Sequence, residues 1–368
     1  MTKISFPGLG IGEFDLNPIA IPFGDGGGIR WYALFIVTGM ILAVLYAAYR
    51  AKGEGIVFDT ILDFAIFTIP IGIVGTRLFY VFFDWLDAMV NHQPNPYKSF
   101  MDVIAIWNGG LAIYGGIIFG TLTIIVVAKV KKMSARTLFK ITDAVAPGVM
   151  IAQALGRWGN FFNGEAYGSP TSLPWRMCSD KFTQRLYNLD LIDRDTAYQM
   201  IDGTLGVHPT FLYESLWNIL GFILINIFYK KKRFDGQIML MYFTWYGFGR
   251  MFIELLRTDS LTNGGSIRIS SLIGLLSFIV FGSLLLYLFI HNKGKKAYAS
   301  DVVAIAEGEA TEVAEDATTE AEIDENSEAN SGDEQPPAEE KDKSTEELEE
   351  IAEENKESEE EENNGTVD

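Results

Sequence analysis

Seven apolar stretches, near residues 31–49, 57–80, 109–128, 136–156, 211–229, 236–257 and 269–290, constrain this chain more than any other feature. A bilayer hydrocarbon core about 30 Å thick is crossed by about 20 helical residues. Inside hydrocarbon every backbone N–H and C=O must be satisfied within the protein, which a helix achieves by itself. The first, third and last stretches contain no charged residue. The pattern predicts an all-α integral membrane protein with seven transmembrane helices.

The bases between the stretches set the orientation, because Lys and Arg in short loops stay on the cytoplasmic side. Arg50 and Lys52 follow the first stretch, and Lys129, Lys131, Lys132 and Arg136 separate the third from the fourth. Lys230, Lys231, Lys232 and Arg233 separate the fifth from the sixth, and Lys293, Lys295 and Lys296 follow the seventh. Every second junction is basic, which predicts the N-terminus outside and the C-terminus in the cytoplasm. Residues 1–30 lack the basic and apolar regions of a signal peptide and are expected to remain as an extracytoplasmic segment. Residues 31–292 form the predicted membrane domain, with 157–210 as a head loop on the outer face.

The formal charge of -19 belongs to the end of the chain. Residues 301–368 hold 28 acidic residues and 3 lysines, whereas the preceding 300 residues hold 26 bases and 20 acids. With few large apolar residues, the segment 297–368 cannot bury enough surface to offset its ordering entropy, so a disordered acidic cytoplasmic tail is expected. The single cysteine, Cys178, excludes an intramolecular disulfide. No histidine is near it in sequence, and it reads as a passive thiol.

Polar residues gather where the helices are expected to reach the outer leaflet, with hardly any at the inner one. GRWGNFFNGEAYG at 156–168 ends the fourth stretch with Arg157, Asn160, Asn163, Glu165 and Gly168. If the helix continues, Arg157, Asn160 and Asn163 share a face. The sixth stretch carries Tyr246, Arg250 and Glu254 at intervals of four, with Arg257 a turn later. Arg250 lies about seven residues from the outer end, or roughly 10 Å deep at 1.5 Å per residue. A charge at the bilayer centre costs about 2.5–3.5 kcal/mol, somewhat less at this depth, unless it faces a partner or polar cavity. Arg77, Tyr32, Tyr114, Gly109 and Gly110 lie near the same level, and His208 and Glu214 open the fifth stretch. Close helix packing accounts for individual glycines, and a helix cap accounts for His208.

The stretch DAVAPGVMIAQALGRWGNFFNGEAYG resembles the signature of prolipoprotein diacylglyceryl transferases. IRWYAL, GTRLFYV, WNGGLAIYGG, HPTFLYE and YGFGRMFIELLR resemble further motifs of that family, in the same order. The resemblance covers roughly residues 20–290. It implies a bacterial inner-membrane enzyme, without metal or soluble cofactor, that moves the diacylglyceryl group of phosphatidylglycerol to the lipobox cysteine of a preprolipoprotein. A thioether forms and glycerol phosphate leaves. Motif correspondence implies Arg157, Arg250, Glu254 and Tyr114 as catalytic residues. It implies Arg157, Asn160, Asn163, Glu165, Gly168, Tyr32, Tyr246, Arg77, Gly109 and Gly110 around the lipid. Many members of the family carry a histidine where this chain has Tyr114. Tyrosine, with a reference pKa of about 10, is a poor base near neutrality, which leaves Glu165 or the phosphate itself to activate the thiol. The expected partners are phosphatidylglycerol, the preprolipoprotein signal peptide and membrane lipids, with no nucleic acid, and a monomer is expected.

Two other classes compete. A lipid transporter would place polar groups along a path to both faces, often with inverted repeats. A phospholipid hydrolase would replace the thiol by water and would need a water-activating base or metal cluster.

Overall fold

The computed structural model describes residues 2–24, 27–258 and 268–292. The predicted tail at 297–368 and most of the last outer loop lie outside the described residues. Among the described residues there are seven α-helices of 18 residues or more: α1 (Trp31–Lys52), α2 (Phe58–Val90), α4 (Ile113–Val130), α5 (Ala135–Asn163), α8 (Thr210–Tyr229), α9 (Gln237–Leu256) and α10 (Ile269–His291). Shorter ones are α3 (Phe100–Ile104), α6 (Asp180–Asn188) and α7 (Arg194–Ile201). All the long helices except α9 are long and apolar enough to cross a membrane. α9 falls short because it carries Arg250, Glu254 and two tyrosines.

Two helices run further than their apolar patterns suggest. α2 continues about three turns past residue 80, and α5 continues through the glycine-spaced polar stretch to Asn163. Glycine at the end of an apolar run reads as a stop, yet here it serves contact. A Cβ on Gly159 would lie 2.7 Å from Tyr32 Cδ2 and 3.0 Å from its Cα, so the absent side chain is what lets α5 lie against α1. Lower in the same seam Gly148 faces the Ala43 backbone and Gly39 faces Ala152. Gly75 against Gly115 joins α2 to α4, and Gly247 against Gly274 joins α9 to α10. In hydrocarbon, close backbone approach of this kind supplies the dispersion contact that holds helices together.

The chain also forms strands, which an all-α expectation omits. β1 (Thr2–Phe6) pairs with β2 (Ile11–Leu16), β3 (Ile19–Phe23) with β4 (Gly27–Arg30), and β5 (Pro170–Thr171) with β6 (Gly206–Val207), all antiparallel. The first hairpin packs with residues of the segment 164–209. Ser5 and Cys178 exchange backbone hydrogen bonds at 3.0 and 2.9 Å, and Ile4 and Leu16 share a buried cluster with Met177, Phe182, Leu186 and Val207. Phe161 of α5 and Phe211 of α8 enter the same cluster, stacked at 4.6 Å, so the hairpin and this segment pack on the two helices that carry Arg157 and Glu214.

The end of the bundle that bears the basic junctions corrects a second expectation. The sequence places hardly any polar residues at the inner leaflet. Lys232 is instead buried, 2.5 Å from Glu54, 3.3 Å from Asp143 and 3.7 Å from Asp235. Asp143 of α5 also accepts from the backbone N–H groups of Gly236 and Met239. Desolvation alone would depress the Lys232 ammonium. Asp143 and Glu54 outweigh it and hold the group above its ordinary 10.5. Lys232 thus joins carboxylates from three segments and clamps the α8–α9 turn to α5 and the end of α1.

Candidate active site

Glu214, in the second turn of α8, is the point where the charged residues meet. Its Oε2 lies 2.9 Å from Arg157 Nη2 of α5 and 3.2 Å from Arg250 Nη1 of α9, and its Oε1 lies 3.4 Å from Arg257 Nη1. Arg250 is held from its own helix as well, with Nη2 2.6 Å from Glu254 Oε2 one turn on. Two guanidiniums approach one oxygen only where a carboxylate offsets their repulsion, and each such charge-assisted contact is stronger than a neutral hydrogen bond. The carboxylates are nearly closed off, at 6% and 2% side-chain exposure, while Arg157 retains 22% and Arg250 15%.

A guanidinium has five N–H donors. Arg157 spends one on Glu214 and one on Asn160 Oδ1 at 3.4 Å, and Arg250 spends two on its glutamates. Among the described residues the other donors of both have no protein acceptor. Such a forked pair suits an anion with several oxygens, such as a phosphate.

The end of α5 presents a further carboxylate beside these arginines. Gly164 adopts a left-handed conformation (φ 63°) that stops the helix, and Glu165 N–H returns to Asn160 O at 3.1 Å. The turn brings Glu165 Oε1 within 3.0 Å of Asn160 Nδ2 and 3.1 Å of Asn163 Nδ2. Arg157, Asn160, Asn163 and Glu165 are thus one hydrogen-bonded chain leading from Glu214.

The alignment of α8 with α9 rests on a reciprocal pair of indoles. Trp217 and Trp245 stack at 4.1 Å with an interplanar angle of 11°, and each indole N–H donates to the other residue's backbone carbonyl, at 3.2 and 3.0 Å. Trp217 lies over Gly249 and Trp245 over Gly221, where an added Cβ would fall 2.0 and 2.3 Å from the indole nitrogens. Gly249 immediately precedes Arg250, so this brace sets the height of Arg250 against Glu214. A turn below, Gln153 of α5 donates to Tyr242 Oη at 2.9 Å, and Tyr242 stacks on Tyr246 at 6.1 Å.

The remaining predicted residues fall into three groups. Tyr32 lies against Gly159, next in the chain to Asn160. Gly168 crosses behind the cluster: its N–H donates to His208 O at 2.8 Å, it bridges Arg257, and a Cβ there would meet Leu256 O at 2.8 Å. Arg77 stands apart from Glu214. Its guanidinium donates to the carbonyls of Asp102, Val103, Gly109 and Gly110, at 2.6–3.1 Å. Gly109 and Gly110, at φ 85° and 66°, form the turn whose carbonyls converge on it. Arg77 therefore shapes the loop that leads into α4. Tyr114, half-buried in the first turn of α4, makes no hydrogen bond among the described residues. His208 Nδ1 lies 3.1 Å from Tyr213 Oη, and Cys178 is buried, its thiol pushed up by that burial.

Sequence reasoning placed Glu214 near the cluster without a role and left Arg257 outside the candidate set. The available signal was Glu214 itself, a carboxylate beginning an otherwise apolar helix, since a buried acid in such a place calls for a cation.

The fold defines a polytopic α-helical membrane protein whose arginines and carboxylates are joined across three helices. The family described as prolipoprotein diacylglyceryl transferase matches residues 18–288, and the chain belongs to that family. It is similar to proteins named phosphatidylglycerol-prolipoprotein diacylglyceryl transferase from Listeria welshimeri, Streptococcus agalactiae and Streptococcus pneumoniae. The first is 39% identical over 280 residues, 76% of this chain and 92% of the relative. The second is 42% identical over 278 residues, 74% and 96% of the two chains. The third is 43% identical over 290 residues, 77% and 97%.

Proposed function

We propose that this chain transfers the diacylglyceryl group of phosphatidylglycerol to the lipobox cysteine thiol of a preprolipoprotein. The thiol sulfur attacks the glycerol carbon that bears the phosphodiester oxygen. A C–S bond forms, the C–O bond breaks with its electrons, and glycerol phosphate leaves. Arg157 and Arg250 hold the phosphate, where negative charge grows in the transition state, and preorganised charge at that position is usually the largest catalytic contribution. Glu214 and Glu254 fix the two guanidiniums. Glu165 takes the thiol proton: Asn160 and Asn163 both donate to its Oε1, and Oε2 has no protein donor among the described residues. Tyr32, Tyr114 and Tyr246 line the lipid.

The convergence of Arg157 and Arg250 on one oxygen of Glu214 carries this reading. The basic junctions support an N-terminus outside and a C-terminus in the cytoplasm of a bacterial cell membrane, with seven spans, the head and first hairpin outside and the acidic tail inside. The chain acts as a monomer in this proposal.

The test incubates the purified protein with phosphatidylglycerol and a lipobox peptide and looks by mass for the diacylglyceryl adduct. Wild type forms it. Arg157→Ala and Arg250→Ala reduce its rate by about 100-fold or more, and lysine at either position restores little, since an ammonium lacks the fork. Free diacylglycerol in place of adduct would identify a hydrolase. No turnover of phosphatidylglycerol, with full rate of lipid movement between leaflets, would identify a transporter.

A further inference from the structure

The run Lys231-Lys232-Arg233 splits in the structure. Lys232 turns inward to its three carboxylates, while its neighbours line the end of a lateral groove of about 740 Å3 between α9 and α10. The walls are apolar, with Met241 on α9 and Phe278 and Leu286 on α10, and at Gly282 α10 presents no side chain. Lys231 is exposed, and the Arg233 guanidinium lies 3.9 Å from the Phe289 ring centroid. Among the described residues neither forms an ion pair. Arginine keeps its charge on an aromatic face because it is weakly hydrated and attracted to the ring.

The dimensions identify the occupant. Lining residues extend from Gln237 to Thr244 on α9 and from Phe278 to Phe289 on α10, about 10 and 16 Å at 1.5 Å per residue. That is about half of a 30 Å hydrocarbon core, the depth of one leaflet. Two cations stand at the end where the chain leaves α8 for α9, and the apolar slot runs inward from them. We propose that this groove binds an anionic phospholipid, with its phosphate on Lys231 and Arg233 and an acyl chain between α9 and α10. The site lies at the opposite end of α9 from Arg250, thirteen residues or about 20 Å from Gln237. It requires only that the helices span a bilayer, not that the chain is a transferase.

The test reconstitutes the full chain in nanodiscs containing phosphatidic acid or zwitterionic phosphatidylcholine with a diazirine in the acyl chain. After irradiation, adducts are mapped by peptide mass. Phosphatidic acid labels the Met241 and Phe278–Phe289 peptides at least about fivefold more than phosphatidylcholine, each cation near a membrane surface contributing a factor of this order. Lys231→Gln with Arg233→Gln lowers labelling to the phosphatidylcholine level, Arg233→Lys retains most of it, and Ser283→Trp, which fills the slot, removes it for both lipids. Excess glycerol phosphate leaves it unchanged. Equal labelling by the two lipids, or full labelling of a glutamine variant that melts like wild type, would overturn the proposal. Displacement by glycerol phosphate would also overturn it, because the acyl chain would then be irrelevant. Labelling is independent of adduct formation, so failure here and failure of the transferase reading are separate results.

Discussion

Arg157 and Glu214 meet at 2.9 Å between α5 and α8, and the same glutamate oxygen receives Arg250 from α9 at 3.2 Å. One carboxylate thereby sets the separation of two cations from different helices. Alone, Arg157 and Arg250 would repel; bound to Glu214 they form a fixed fork.

Glu214→Gln therefore does more than remove a contact. Breaking a buried ion pair leaves its partner uncompensated at a cost of about 3–5 kcal/mol, and the partial exposure of both arginines places this variant at the lower end. Adduct formation falls with it, and a Glu214→Asp variant, one methylene shorter, recovers stability better than rate. Thermal melting beside the mass assay measures both.

Gly249→Ala drives a Cβ to 2.0 Å from Trp217 Nε1. The expected loss is about 1–3 kcal/mol, as for overpacking elsewhere. Because the strain falls beside Arg250, activity drops by more than stability explains. Trp217→Phe in the same chain relieves part of it, so the two changes together are less than additive. Equal and additive losses would show that the indole brace does not position Arg250.

Lys232→Met leaves Asp143 and Glu54 buried without their ammonium. Destabilisation on the order of 3 kcal/mol is expected, and adding Asp143→Leu and Glu54→Leu restores much of it, since replacing buried ions together by apolar groups is often neutral or better and Asp235 keeps Arg136. Denaturant titration of the single and triple variants distinguishes a clamp from a cluster of minor importance.

Burial pushes His208 below its ordinary 6.5, so the folded protein favours the neutral ring while the unfolded chain protonates at about the ordinary value. The stability this contributes is present above 6.5 and is lost as pH falls through 6.5 toward the lower folded value. Melting temperature should decline on acidification from about pH 7 to about pH 5.5, and less steeply in His208→Asn. A slope unchanged by the substitution would assign the decline to other groups.

The glycines between Gly156 and Gly168 read in the sequence as the polar end of a helix. In the structure only Gly164 stops it; Gly159 seats Tyr32 and Gly168 packs against His208 and Leu256. Sequence spacing correctly put Arg157, Asn160 and Asn163 on one face and Arg250 over Glu254, because i, i+3 and i, i+4 neighbours follow from the helix period alone. It grouped Arg77 with the other arginines by depth. Depth does not tell where a side chain points, and the carbonyls of Gly109 and Gly110 claim it. The packing of the first hairpin is not legible in the sequence because its partners, Cys178 and Met177, lie far along the chain.

What the amino-acid sequence determined by itself was the helical membrane class, the approximate positions of the spans, and the residue types of the site. Hydrocarbon thickness and helical period act on local stretches of chain. Which carboxylate joins which guanidinium, and which lysine of a basic run is buried, only the tertiary structure decided. Those pairings depend on how closely helices approach, through seams such as Gly39 with Ala152 and braces such as Trp217 on Gly249, and they join residues with no regular separation in the chain.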